Sequence, residues 1–388
     1  MFPLVNTHIH IPPNFSAFRT PDAVVDAAVA EGIRAIGVSN FYDQSVYGLI
    51  RSAAREADIT AMFGLEFITL IPELEEAGIR INDPSNPGRM YLTGKGINPF
   101  KPRSPRAEKI ATAVRKDNDQ RSHRMIALVA EHFGALGFDT MVTPRGLVED
   151  VAARGGVPVE WVSLQERHIA MAFQEAVFRL PLGERVEMLD KAYGRPCDVD
   201  VEDPVALQTE IRSRLLKKGT PGFVAEVALS FQDAYNYILD MGGIPCYPVL
   251  ADGADPVCPF EESPTALAEA LLERGIHAAE FIPNRNYSFS LNRYVQTLHD
   301  HGILVMAGTE HNTWEQIPLA PRCMDGPLSD YTQELFYEGA CVVAAHSARA
   351  EWAKPGYVDG KGKLVKDLSH RVSLINEGDH IIGGGEWE

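Results

Sequence analysis

Leu4-Val5-Asn6-Thr7-His8-Ile9-His10 is the stretch on which the reading of this chain turns. It is short and apolar, and Pro12-Pro13 follows almost at once, so it predicts a buried strand. Residues two apart on a strand point the same way, so His8 and His10 project together from its C-terminal end. Two neutral imidazoles so placed suit one borderline ion such as zinc, manganese or iron. With 12 histidines in 388 residues, about 0.4 such pairs are expected by chance. A second pair, His299-Asp300-His301, lies near the end of a helix-like stretch, where residues two apart do not face each other. The alternative for the first pair is two structural histidines.

The length accommodates one large α/β barrel with insertions, or two ordinary domains. Hydrophobic content of 45% and charged content of 23% are those of a soluble globular protein. No run approaches a membrane span, and the first residues lack the basic end and apolar core of a signal peptide. Cys197, Cys246, Cys258, Cys323 and Cys341 are scattered without Cys-X-X-Cys spacing, which disfavours a disulfide framework and fits a cytoplasmic location. The net charge of −17 disfavours nucleic acid as a partner, but not a small anionic substrate. The oligomeric state is left open.

Outward from the first strand, one unit recurs: a helix-like stretch ends at glycine, and an apolar run follows that closes on a polar residue. It occurs at Gly32-Ile33 into Val38, at Gly243-Ile244 into Tyr247, at Gly275-Ile276 into Ile282, and at Gly302-Ile303 into Ala307. A fifth copy is Gly339 followed by Cys341-Val342-Val343-Ala344-Ala345 and His346. With the first strand and Thr60–Glu66, about seven βα units result, and a parallel barrel is expected. Side chains at strand ends carry the chemistry in such barrels. Here those ends hold His8, His10, Asn40, Glu66, Tyr247, Asn284, Glu310, His311 and His346.

The pattern breaks in the middle. Barrel segments are expected at 1–78 and 240–350, and an insertion at 79–239. The insertion opens with a hairpin around Asp83-Pro84-Ser85-Asn86-Pro87-Gly88. It continues with helices over 107–133, 145–154, 163–178, 183–192 and 203–216, the third with a capping box at Ser163-Leu164-Gln165-Glu166. His168 reads as a packing residue. The insertion is expected to cover the barrel mouth, the alternative being an independent helical module. The tail, 351–388, reads as irregular.

These motifs resemble the polymerase-and-histidinol-phosphatase (PHP) superfamily over Val5–Glu66 and Gly242–His346. His8 and His10 match its opening His-X-His, and Gly64-Leu65-Glu66 matches its Gly-X-Glu. The resemblance implies a distorted (β/α)7 TIM-like barrel with a long helical insertion, up to three metal ions, and phosphoester hydrolysis. Three motifs depart from the family pattern. Ser39-Asn40-Phe41 stands for Thr-Asp-His, Cys246-Tyr247-Pro248 for Ala-His-Pro, and Gly308-Thr309-Glu310-His311-Asn312 for Gly-Ser-Asp-X-His. The implied metal ligands are therefore His8, His10, Glu66 and Glu310, holding one divalent ion, or two with Glu66 as a bridge.

Phosphoester hydrolysis needs a nucleophile at neutral pH and cations facing the phosphoryl oxygens. Lys95 and Arg285 are candidate clamps on a small anionic, phosphorylated substrate, with Asn284 and Asn40 as further substrate contacts. His346 or His311 is expected to protonate the leaving group, and Tyr247 to serve as a phenolic donor or to fill a lost ligand position. Two other functions fit the same residues. One is a non-catalytic binding protein on a degenerate barrel; the other is an amidohydrolase-like enzyme acting on C–N bonds.

Overall fold

Eight strands carry the fold in the computed structural model, which describes residues 2–365 and 368–384. They are β1 (Leu4–Ile9), β2 (Ile33–Val38), β3 (Thr60–Leu70), β4 (Arg89–Lys95), β5 (Leu229–Ser230), β6 (Ile244–Val249), β7 (Ala278–Phe281) and β8 (Leu304–Ala307). The sheet runs β1-β2-β3-β4-β6-β7-β8, and the short β5 pairs with β3. All neighbours are parallel except β4, which is antiparallel to both β3 and β6.

The sheet closes through the segment after β8. Thr309 and Glu310 donate their N–H groups to the His8 carbonyl at 3.0 and 2.9 Å, and His10 N–H donates to the Glu310 carbonyl at 2.7 Å. Gly308 makes this approach possible: a Cβ there would lie 2.3 Å from the His8 Cβ. The result is the α/β TIM-like barrel that the sequence implied, nearly closed.

Helices α1 (Pro21–Glu31), α2 (Tyr47–Glu56) and the single turn α3 (Pro72–Glu76) accompany the first strands. The first of them stops at Gly32, whose φ of 70° is left-handed, as a glycine stop requires. Between β4 and β6 come α4 (Pro105–Ala135), α5 (Pro144–Gly155), α6 (Glu166–Val177), α7 (Leu182–Tyr193), α8 (Pro204–Ile211) and α9 (Phe231–Asp240). Then follow α10 (Pro264–Glu273), α11 (Ser288–Asp300), α12 (Asp330–Glu351) and α13 (Leu368–Ile382). Among the described residues, no helix is long and apolar enough to cross a membrane.

Helices α4 to α8 form a cap that sits on loops leaving the strand ends. Arg115 of α4 binds the Asp43 carboxylate at 2.8 Å, and Gln165 accepts from Phe15 N–H at 2.6 Å. Gln165, rather than Ser163, caps α6, in a reciprocal box with His168. His168 is fully buried there and burial pulls its pKa down to about 3, as fits a packing residue.

Three expectations give way. The anticipated hairpin is a single strand, β4, inserted into the barrel wall, so barrel residues extend past 79 to Lys95. The apolar run 341–345 lies in the middle of α12, because burial on nearly all sides makes a helix as uniformly apolar as a parallel strand. Gly339 brings that helix so close to β8 that a Cβ would meet the Val305 carbonyl. The tail is partly regular: α13 packs on α12, with Leu374 buried, Arg349 paired to Glu377, and the Tyr337 hydroxyl donating to Asp379 at 2.7 Å. Residues 366–367 and 385–388 of that tail lie outside the described residues.

Candidate metal centre

His8 of β1, His10 just beyond its end and Glu66 of β3 converge at the mouth of the barrel, all three buried. His8 Nε2 and His10 Nε2 are 3.4 Å apart, and Glu66 Oε2 lies 3.3 Å from His10 Nε2 and 3.8 Å from His8 Nε2. Ligands bonded at about 2.1 Å to a tetrahedral ion sit roughly 3.4 Å from one another. Glu66 Oε2 has no hydrogen-bond partner among the described residues, and neither has His10 Nδ1. A carboxylate oxygen buried in this way is costly unless a cation or proton faces it. The three atoms therefore fit a divalent ion.

His8 is oriented from behind. Its Nδ1–H donates to Glu280 Oε2 at 2.9 Å, which leaves the Nε2 lone pair directed at His10 and Glu66. Glu280 also accepts from Thr93 Oγ1 at 2.6 Å and from Lys95 Nζ at 2.5 Å. Burial would push this carboxyl up, but His8 and Lys95 outweigh it and hold it well below the ordinary range. Phe41 lies against His10, ring centroids 5.1 Å apart and planes 17° from parallel, and shields one face of the centre.

Glu310 falls outside the three-ligand group. It is turned by two consecutive left-handed residues, Glu310 at φ 58° and His311 at φ 51°, a conformation costing about 1–3 kcal/mol at each. Its carboxylate is held by both Nη atoms of Arg285, one at 2.9 Å, and by Asn312 Nδ2 at 2.6 Å. The expected metal ligand is thus an ion-pair partner, and the expected clamp, Arg285, is engaged by it. Asn284 stands beside Arg285 with a buried Oδ1 that has no partner among the described residues.

The remaining candidates are placed elsewhere. Lys95 is not on a loop: its ammonium lies inside the barrel against Glu280, the Thr7 carbonyl at 3.1 Å and Ser39 Oγ at 3.2 Å. Asn40 clasps the backbone of Ile11, accepting from its N–H at 2.8 Å and donating to its carbonyl at 3.0 Å. Tyr247 points out of the barrel, its hydroxyl donating to Glu261 at 2.7 Å, while neighbouring Cys246 faces Thr93, Lys95 and Glu280. Both ring nitrogens of His311 are taken, by Thr309 Oγ1 at 2.7 Å and the Ile317 carbonyl at 3.0 Å. His346, on α12, bonds the Gly242 carbonyl at 2.8 Å and Tyr357 N–H at 2.9 Å, beside the start of β6 and so at the opposite end of the barrel. None of these five reaches the centre, because the sequence alone does not carry the register that decides which way a residue faces. Glu280 was passed over as a site residue. Its signal was a lone carboxylate within an apolar run.

No family model matches the chain, and no curated protein matches it. Among solved structures it is similar to a protein of Bifidobacterium adolescentis provisionally described as a metal-dependent phosphoesterase. The TM-score is 0.56 at 14% identity, over 86% of this chain and 96% of that one. It is also similar to an amidohydrolase from Chromobacterium violaceum, solved with bound sulfate and no metal. There the TM-score is 0.52 at 16% identity, over 82% of this chain and 94% of the other. At such identities the likeness is one of fold, and the fold is a TIM-like α/β barrel.

Proposed function

We propose that this chain is a metal-dependent hydrolase acting on a small phosphoester, with one divalent ion held by His8, His10 and Glu66. The observation that carries the reading is the convergence of three buried ligand atoms, one of them the unpartnered Glu66 Oε2. A divalent ion bound there supplies Lewis-acid charge and lowers the pKa of water. The residues supply the rest. Glu280 keeps the proton of His8 on Nδ1, so that Nε2 is available as a ligand. Phe41 excludes water from the His10 side. Arg285 brings positive charge to the rim, balanced by Glu310.

An amidohydrolase-like reading has less support. A lysine does lie inside the barrel, but as an ammonium paired to Glu280. A non-catalytic binding protein would have to keep three such ligand atoms together without an ion, against the cost of their burial.

The test is elemental analysis of protein purified without chelator or nickel, beside His10→Ala and Glu66→Ala, followed by a screen of phosphomonoesters and phosphodiesters. About one equivalent of metal, lost in both variants with native circular dichroism, is expected together with phosphoester turnover. Metal content unchanged in both variants would remove the assignment.

A further inference from the structure

Arg167, in the first turn of α6, is half-buried and has neither hydrogen bond nor ion pair among the described residues. The carboxylates near it are occupied. Glu166 is shared by Arg121 at 2.6 Å, Arg212 at 3.1 Å and Lys217 at 2.6 Å. Glu310 is held by Arg285 and Asn312. In a chain of net charge −17, this place between cap and barrel thus carries a surplus cation. Burial first, and then the Arg212 guanidinium, pull the Arg167 pKa down to about 10, while Glu310 acts against them.

The surroundings are built for a small molecule. Arg167 lines a narrow cleft with Arg212, Phe15 and Trp314. Phe15 and Trp314 also line a cavity of about 670 Å³ between the cap and the segment after β1, where Phe18, Met171 and Phe178 add apolar surface. That volume is within the usual range for a ligand site, about 300–1,000 Å³, and the wall also carries polar side chains, among them Arg19, Gln174 and the paired Arg154 and Glu175. The cavity begins at Pro12, two residues beyond His10, and Arg167 feels the charges of Glu310 and Arg285 at the rim.

We propose that Arg167 is the cap's anion receptor, binding the anionic group of a substrate whose apolar or aromatic body packs against the edge-to-face pair of Phe15 and Trp314, whose ring centroids are 5.2 Å apart. The inference rests on the hydrolase reading for the word substrate, but the binding itself does not need the metal. Phosphonate, phosphate and carboxylate share the chemistry that a guanidinium recognises. The apolar walls would select for the body and Arg167 for the charge.

The experiment is calorimetric titration of the full chain with phenylphosphonate, which carries ring and anion but no hydrolysable P–O–C bond. Inorganic phosphate and benzoate are titrated in parallel, and metal content is measured on the same samples. Arg167→Met should weaken phenylphosphonate by about tenfold or more, the scale of a lost charge-assisted hydrogen bond, with metal content unchanged. Arg167→Lys should recover part of the loss. Phe15→Ala should weaken phenylphosphonate several-fold and leave inorganic phosphate unaffected. Benzoate binding as tightly, with the same loss in Arg167→Met, would assign the anion as a carboxylate. Wild-type affinity in Arg167→Met, or no binding of any probe to the wild type at millimolar concentration, would overturn the proposal. Arg167-dependent binding in protein that holds no metal would uphold it and remove the hydrolase reading instead.

Discussion

The His8 ring lies between two carboxylates. Nδ1 is 2.9 Å from Glu280 Oε2, and Nε2 is 3.8 Å from Glu66 Oε2. Glu280 is in turn balanced by Lys95 at 2.5 Å, so a buried charge network stands directly behind the candidate metal centre. The network explains why a fully buried carboxylate and a nearly buried lysine coexist inside a barrel.

Glu280→Gln keeps the shape but leaves the Lys95 ammonium unpaired. Breaking a buried pair costs about 3–5 kcal/mol, and removing the partner of a ligating histidine weakens metal binding by about 10–100-fold. Denaturant melts and chelator competition should both register the loss. Metal affinity equal to wild type would mean that Glu280 serves stability alone.

Gly308→Ala places a methyl group 2.3 Å from the His8 Cβ and 2.7 Å from its carbonyl oxygen. The segment after β8 must then move away from β1, at a cost of about 1–3 kcal/mol or more. Because the clash is with His8 itself, metal content should fall along with the melting temperature. Full metal occupancy in this variant would show that the closure of the barrel and the centre are independent.

His346 is fully buried, and burial pulls its pKa from 6.5 down to about 4. The neutral ring is the form the fold requires, so its contribution is complete above about pH 6.5 and is lost as pH falls toward 4. His346→Gln should cost about 1–3 kcal/mol at pH 7 through its two hydrogen bonds, and should flatten stability between these pH values. Turnover and metal content should not change, since the residue is at the far end of the barrel. A large loss of turnover in a folded variant would restore it as a catalytic candidate.

Glu166 ties α6 to Arg121, Arg212 and Lys217, which bring its pKa from 4.5 to about 2 although burial alone would raise it. The depressed value means stability that is present above about pH 4.5 and is lost as pH falls toward 2. The contribution is on the order of 3 kcal/mol at neutral pH. Glu166→Gln should lower stability at pH 7 by that order and reduce the acid dependence. An acid melting curve unchanged in this variant would place the cap's acid sensitivity elsewhere.

What the sequence determined by itself was local. The strand period aligned His8 with His10, the glycine stops marked the βα units, and the caps and periodicity of residues 105–211 marked the helices of the insertion, because each signal is written in neighbouring residues. Glu66 was legible from its motif, although its distance to the histidines was not. Tertiary structure alone decided the rest. It placed β4 antiparallel in the barrel wall and made a helix of the run at 341–345. It also turned Tyr247 outward by one residue of register, set Glu280 behind His8, and gave Glu310 to Arg285. These outcomes depend on which distant segments meet, and on which face of a strand or helix a side chain leaves. A buried apolar run carries the same composition in either case, so only the packed chain chooses between them.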